Sequence, residues 1–261
     1  MRKIGVLTSG GDAPGMNAAV MAVAMSASRY GKPLVGIKQG YNGLLRRSTS
    51  ICDDLQELTL DMVLDIADQP GTYLRTARCV EFKDPMYREF AAQTLRDLEI
   101  DGLVIIGGDG SFQGAMRLCE LGIPCVCIPG TIDNDLAYTE MTLGYETAVQ
   151  KCTEAIREIR ATSRSHNRPH VVECMGRHCG DVDIKAACAT GAEIVLVPEV
   201  KWSIDEVAAR LNKQMAKGNY RATIVVAEGC WESMEPFDMY GFLTSNGEQC
   251  FNGEQIGRAH A

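Results

Sequence analysis

Apolar residues gather in short runs at 4–7, 103–106, 126–128, 171–174, 194–197 and 223–227, and each run leaves through Gly, Thr, Asp or Pro into a helix-compatible stretch. Helical stretches are predicted at 16–28, 114–121, 145–161, 181–189 and 204–217. Strands alternating with helices in this way predict an α/β fold of doubly wound, largely parallel sheets. The polar, arginine-containing segment 161–169 stands just before a new strand and marks a junction between two lobes. In such sheets ligands bind beyond the carboxyl ends of the strands, where loops turn into helices. The least ordinary residues of the chain fall there.

A chain of 261 residues suits two α/β lobes or one large one. Apolar residues are 46% and charged residues 23%, so a core can form, and disorder is not the default. The first apolar run ends after four residues at Thr8, Ser9 and Gly10, which predicts a strand and not a signal peptide. No stretch approaches the ~18 to 20 uninterrupted apolar residues of a bilayer span. Eleven cysteines, an odd number in a long chain with no targeting segment before them, point to a reducing cytoplasm. Alternation places Cys125 and Cys127 on one strand face as small apolar side chains, with neither a Cys-x-x-Cys nor a histidine cluster to suggest zinc. The net charge of −8 argues against non-specific nucleic-acid binding. A phosphate ligand must therefore be held by local arginines and backbone amides.

Three loops supply such amides. Gly10-Gly11-Asp12-Ala13-Pro14-Gly15-Met16-Asn17 leaves the first strand and opens the first helix, where glycines and first-turn amides favour an anion. Its spacing is neither the dinucleotide fingerprint nor a Walker loop, and a plain tight turn is the alternative. Gly107-Gly108-Asp109-Gly110-Ser111 repeats the setting, with the Asp109 carboxylate where a Mg²⁺ bridging phosphate oxygens is wanted. Pro129-Gly130-Thr131-Ile132-Asp133-Asn134-Asp135 carries two carboxylates at i and i+2. One can take a hydroxyl proton while the other orients a metal; an Asx turn with helix-capping duty is the structural alternative. Positive charge comes from Arg75, Arg78, Arg164, Arg168 and Arg177, the last directly after a strand and near two glycines.

In order and in register to about Glu228, the Gly10–Ala18 opening and segments 107–111, 129–135, 162–168 and 175–181 closely resemble the bacterial 6-phosphofructokinase family. The resemblance implies transfer of the ATP γ-phosphoryl group to the 1-hydroxyl of fructose 6-phosphate, in glycolysis. It implies Asp133 as the base, Thr131 and Asp135 in substrate and metal positioning, and Arg177 stabilising the transferring group. Gly11, Arg78, Cys79, Asp109, Gly110 and Ser111 match nucleotide-binding positions, with Asp109 on the Mg²⁺. Thr131, Asp133, Met175, Gly176, Arg177 and Glu228 match sugar-phosphate positions. Arg168 matches an arginine reaching the 6-phosphate from a neighbouring subunit of a homotetramer. The family's organisation divides the chain into an ATP- and Mg²⁺-binding lobe at 1–138, a fructose 6-phosphate-binding lobe at 139–228, and a divergent or truncated tail at 229–261.

The chain departs from the family pattern at several places. Met21 and Met25 replace arginines that hold an effector's phosphates in allosteric members, although Glu193 of the same site is kept. Pro70 stands where a second glycine is common. The tail at 229–261 does not reach the family's Gly-His-x-Gln-Arg-Gly-Gly segment, so the first lobe is expected to lack its return segment and the chain to phosphorylate the sugar poorly. Two other readings share these residues. A pyrophosphate-dependent relative would call for Asp at 110 and usually Lys at 130, both glycine here. A nucleotide-binding fragment impaired in catalysis would keep the loops without a complete sugar site.

Overall fold

The computed structural model describes residues 3–45 and 54–234. The first unit is built on β1 (Lys3–Ser9), followed by α1 (Met16–Arg29), β2 (Leu34–Ile37), α2 (Asn42–Leu45), β3 (Leu55–Glu57), α3 (Leu60–Leu64), α4 (Pro85–Asp97), β4 (Ile100–Gly107), α5 (Asp109–Glu120), β5 (Cys125–Thr131) and β6 (Leu143–Gly144). The sheet order is β3-β2-β1-β4-β5-β6, with only β2 and β3 antiparallel. The second unit contains α6 (Tyr145–His166), β7 (His170–Cys174), α7 (Asp181–Thr190), β8 (Ile194–Leu196), α8 (Ile204–Ala216) and β9 (Thr223–Ala227), with an all-parallel sheet ordered β7-β9-β8.

Central parallel strands are covered on both faces, which is why β1 and β4 are nearly continuous apolar runs. One face packs Leu7, Ile37, Leu103 and Ile105 against Leu95 and Leu118; the other packs Val6 and Ile106 against Met16, Val20 and Ala24. The α1 contacts recur at i and i+4, one stripe of the helix. Cys125 and Cys127 pack against the first of these clusters, while Val126 between them is 65% exposed, as strand alternation predicts.

Two boundaries differ from the sequence expectation. Helix α5 begins at Asp109, five residues before 114, so the second glycine loop runs into the first helical turn, where the Ser111 N–H already bonds the Gly108 carbonyl and the Asp109 and Gly110 amides lead the helix. Residues 161–166 are the last turns of α6, ended by Asn167 in the left-handed conformation, and not a loop between lobes. The chain changes units around Gly144, where β6 pairs with β5 and α6 then packs along α7.

Candidate active site

Strands β1, β4 and β5 are parallel neighbours, and their registers align Ser9 with Gly107 and Gly107 with Pro129. The three loops read from the sequence therefore leave one sheet edge side by side. A side chain at Gly107 would bring its Cβ 2.5 Å from the Ser9 carbonyl oxygen, so the close approach requires glycine. Ser111, one of the positions matched to the nucleotide, donates its hydroxyl to the Ser9 carbonyl at 3.1 Å, tying α5 to β1. Gly11 and Gly110 face open space: a Cβ at either meets nothing within 4 Å.

The segment carrying the first arginines is lashed to this edge. Asn17, almost fully buried, donates to the Gln69 carbonyl at 3.0 Å and accepts from the Tyr73 N–H at 2.7 Å. Thr76 donates to the Gly10 carbonyl at 2.7 Å, and Thr8 to the Arg75 carbonyl at 3.1 Å. Arg78 is left exposed beside the first glycine loop. Cys79 packs its thiol against the first core cluster and toward Glu81 at 3.9 Å, so its side chain serves packing. Asp109 is exposed at the start of α5 and accepts from Gln113 at 2.7 Å. Among the described residues no three His, Cys, Asp or Glu side chains converge on a metal position. One exposed carboxylate beside amides open to phosphate does suit Mg²⁺, which commonly takes one or two carboxylates and completes its shell with water and substrate phosphate oxygens.

On the other side of the cleft, Asp133 lies two residues past β5 and its N–H donates to the Thr131 hydroxyl at 3.2 Å. Burial raises its pKa, and the negative charge of Asp135 raises it further; Arg177 and the Thr131 hydrogen bond pull the other way. A carboxylate made more basic in this manner is suited to receiving a proton. Glu228 also contributes to the field at Asp133, so residues separated by nearly a hundred positions act on one carboxyl group.

Arg177 is positioned through its backbone. Glu228, just past β9, accepts from the Gly176 N–H at 3.2 Å and the Arg177 N–H at 2.7 Å. Arg177 holds a left-handed φ of 55°, a conformation unfavourable for its residue type and sustained by these bonds. A Cβ at Gly229 would collide with the Arg177 carbonyl oxygen, so Gly229 allows β9 to bring Glu228 under the loop. Glu199 holds the far end of the same loop, accepting from the Gly180 N–H at 2.8 Å.

Several positioning residues had no clear sequence signal. Asn134, in left-handed conformation, accepts from the Thr142 N–H at 3.0 Å and donates to Asp181 at 3.3 Å. Tyr145 donates to the same Asp181 oxygen at 2.6 Å. Asp181 starts α7, so these bonds join the Asp133 loop to the unit carrying Arg177. Arg168 is not in this cleft. It precedes β7 while Arg177 follows it, and the intervening extended chain spans ~20 Å at 3.3 Å per residue. Arg164 and Arg160 are at that distant end too, lining a cavity of about 180 Å³ with Glu193, Asn219 and Arg221.

The sequence profile of the phosphofructokinase family matches residues 3–257. A Clostridioides difficile protein named ATP-dependent 6-phosphofructokinase is 52% identical over 229 residues, 88% of this chain and 70% of that protein. One of the same name from Alkaliphilus metalliredigens is 50% identical over the same shares. The crystal structure of Pichia pastoris phosphofructokinase in the T-state superposes with a TM-score of 0.80 at 35% identity, covering 88% of this chain and 28% of the yeast chain.

Proposed function

The chain belongs to the phosphofructokinase family, and on that premise we propose that it transfers the γ-phosphoryl group of Mg-ATP to the 1-hydroxyl of fructose 6-phosphate, giving fructose 1,6-bisphosphate. The observation that carries this reading is Asp133: half-buried, raised in basicity, and set at the strand edge that also bears the two open glycine loops. Asp133 accepts the proton of the attacking hydroxyl, while Thr131 keeps the carboxylate loop in place. Asp135 keeps Asp133 basic through its charge. Arg177 stabilises charge on the phosphoryl group in transit. Gly11, Arg78 and the first-turn amides at Asp109 and Gly110 receive the nucleotide phosphates. Mg²⁺ held by Asp109 supplies charge neutralisation at the phosphate oxygens.

Met175, Gly176 and Glu228 bound the sugar phosphate beside Arg177. Because Arg168 is a strand's length from its own cleft, it serves the 6-phosphate of a neighbouring subunit, and the active form is an oligomer, a tetramer by family resemblance. The reaction is a cytoplasmic step of glycolysis; among the described residues no helix is long and apolar enough to cross a membrane.

The donor is ATP and not pyrophosphate. Gly110 leaves open room for the larger nucleotide, and a Cβ at Gly130 would already sit 3.0 Å from Ile106 and 3.3 Å from Met16, so a lysine there has no ready space. The test incubates the protein with fructose 6-phosphate and either Mg-ATP or Mg-pyrophosphate and follows fructose 1,6-bisphosphate. Faster turnover with ATP is expected. Faster turnover with pyrophosphate would overturn the donor assignment.

A further inference from the structure

Arg168 sits in the middle of a three-residue turn between α6 and β7, and both ends of that turn are tied. At the helix end Asn167 takes the left-handed conformation, and its N–H and that of Arg168 both donate to the Ser163 carbonyl, the latter at 3.4 Å. Pro169 follows and disfavours helical backbone at Arg168. At the sheet end His170 opens β7: its N–H donates to the Ala222 carbonyl at 3.1 Å, and it stands in register with Thr223 of β9.

A side-chain bond closes the turn. The hydroxyl of Ser163, a residue 1% exposed, shares a hydrogen bond with His170 Nδ1. Thr153 and Ser165 of the same helix bond back to the carbonyls four residues earlier, the local habit of helical hydroxyls. Ser163 reaches seven residues ahead to His170. One residue thus holds the turn twice, its carbonyl on the 167 and 168 amides and its hydroxyl on the ring that begins β7. Three residues before it, Arg160 pairs with Glu193 at 3.0 Å, and Glu193 accepts from the Thr223 N–H at 2.7 Å. The end of α6 is therefore fixed to the second sheet at two points, with Arg168 just beyond them. The phosphoryl-transfer reading gives neither Ser163 nor His170 a role.

We propose that Ser163 and His170 are positioning residues for the sugar 6-phosphate: their hydrogen bond fixes the turn 167–169, and so the direction in which Arg168 leaves its own subunit toward the neighbour's cleft. A guanidinium binds phosphate through a planar fork, and any rotation of the backbone at 168 is carried along the whole arginine side chain. A pinned turn presents the fork already oriented, where a loose one would have to be ordered as the phosphate binds. The consequence for the sugar rests on the proposed role of Arg168; the closed turn does not.

The test compares the full-length native chain with Ser163→Ala, His170→Ala, His170→Asn and Arg168→Ala. Amide hydrogen exchange over 164–170 reads the turn, and initial rates read its use. Ser163→Ala and His170→Ala should each speed exchange at the 167 and 168 amides and raise KM for fructose 6-phosphate, both by about 3- to 10-fold, the range for loss of one intramolecular hydrogen bond. Both should leave kcat and the Kd for Mg-ATP unchanged. His170→Asn, whose side-chain amide can stand where Nδ1 stands, should recover most of both effects. In the Arg168→Ala background Ser163→Ala should raise KM no further, an outcome that a merely structural serine would not give. Ser165→Ala, on the exposed face, should change neither readout. Native exchange rates in both Ser163→Ala and His170→Ala would overturn the closed turn. Faster exchange with unchanged KM, in a protein whose KM does respond to Arg168→Ala, would overturn its role in positioning. If Arg168→Ala leaves KM unchanged, or the native chain gives no turnover, the failure belongs to the Arg168 or the phosphoryl-transfer reading, and exchange still decides the turn.

Discussion

Asp183 shows what one buried side chain does to the pH dependence of a fold. Burial raises its pKa to about 7, its own backbone N–H pulling the other way and the neighbouring Cys152, Glu228 and Glu199 adding to the rise. In the unfolded chain it ionises near its ordinary value of 3.8. Between those values folding must take up a proton, so the stability this group permits is fully present below the unfolded pKa and is lost as pH rises toward 7. Asp183→Asn removes the titration. In thermal unfolding, the stability of the variant relative to the native chain should rise with pH by at most ~1.4 kcal/mol per unit between about 4 and 7, then level off. A difference independent of pH would mean that Asp183 is hydrated or paired in solution. Glu193 has the opposite sign. Burial opposes its charge, but Arg160 at 3.0 Å, the Thr223 N–H at 2.7 Å and Asn219 at 3.1 Å outweigh it and depress the pKa. Its contribution is present above the unfolded pKa and is lost as pH falls through the depressed one. With Glu193 so engaged, and Met21 and Met25 unable to bind phosphate, ADP should shift the fructose 6-phosphate saturation curve little. A strong shift removed by Glu193→Ala would contradict that.

At the scale of elements, the Asp133 loop depends on Asn134, which bridges to Thr142 and to the start of α7. Asn134→Ala should lower kcat/KM by about 10-fold or more with little change in ATP affinity, because the carboxylate loop loses its tie to the Arg177 unit. Equal losses in ATP binding would show that the loop acts on the nucleotide side. Much of this layer was legible in the sequence. Strand β9 falls at 223–227 as its apolar run predicts, and α1, α7 and α8 begin where their spacing begins. Helix α4 escaped because its apolar stripe is modest, although Asp84 capping the Met86 N–H ahead of Pro85 is a readable helix start. Strand β2 is broken by Gly36, and β3, Leu-Gln-Glu, carries a single apolar residue, so neither stands out as an apolar run. The glycine loops and Asp133 could be read because their chemistry is local. Glu199, Gly229 and the Asp181 bridge could not, since each acts on backbone brought near only by the second sheet.

The whole molecule places the glycine loops and Asp133 on one sheet edge and Arg168, proposed to reach a neighbour's phosphate, at the far end of the second sheet. Arg168 at the far end of β7 makes a prediction about assembly: mixed oligomers of Arg168→Ala and Asp133→Ala chains, each inactive alone, should recover activity, because some clefts combine an intact Asp133 with a neighbour's intact Arg168. Absence of recovery in verified mixed oligomers would return Arg168 to a surface role. The chain spans 70% of the length of the Clostridioides difficile and Alkaliphilus metalliredigens relatives, and the proposed catalytic edge lies within residues 8–229. Asp133 is proposed to act in the chemical step and not in holding nucleotide. Its most direct test is kcat for fructose 6-phosphate phosphorylation by Asp133→Ala, measured beside the Kd for Mg-ATP. A fall in kcat of about 10²- to 10⁴-fold with Kd essentially unchanged is expected, the range for loss of general-base assistance; near-normal kcat would instead make Asp133 a turn-forming residue.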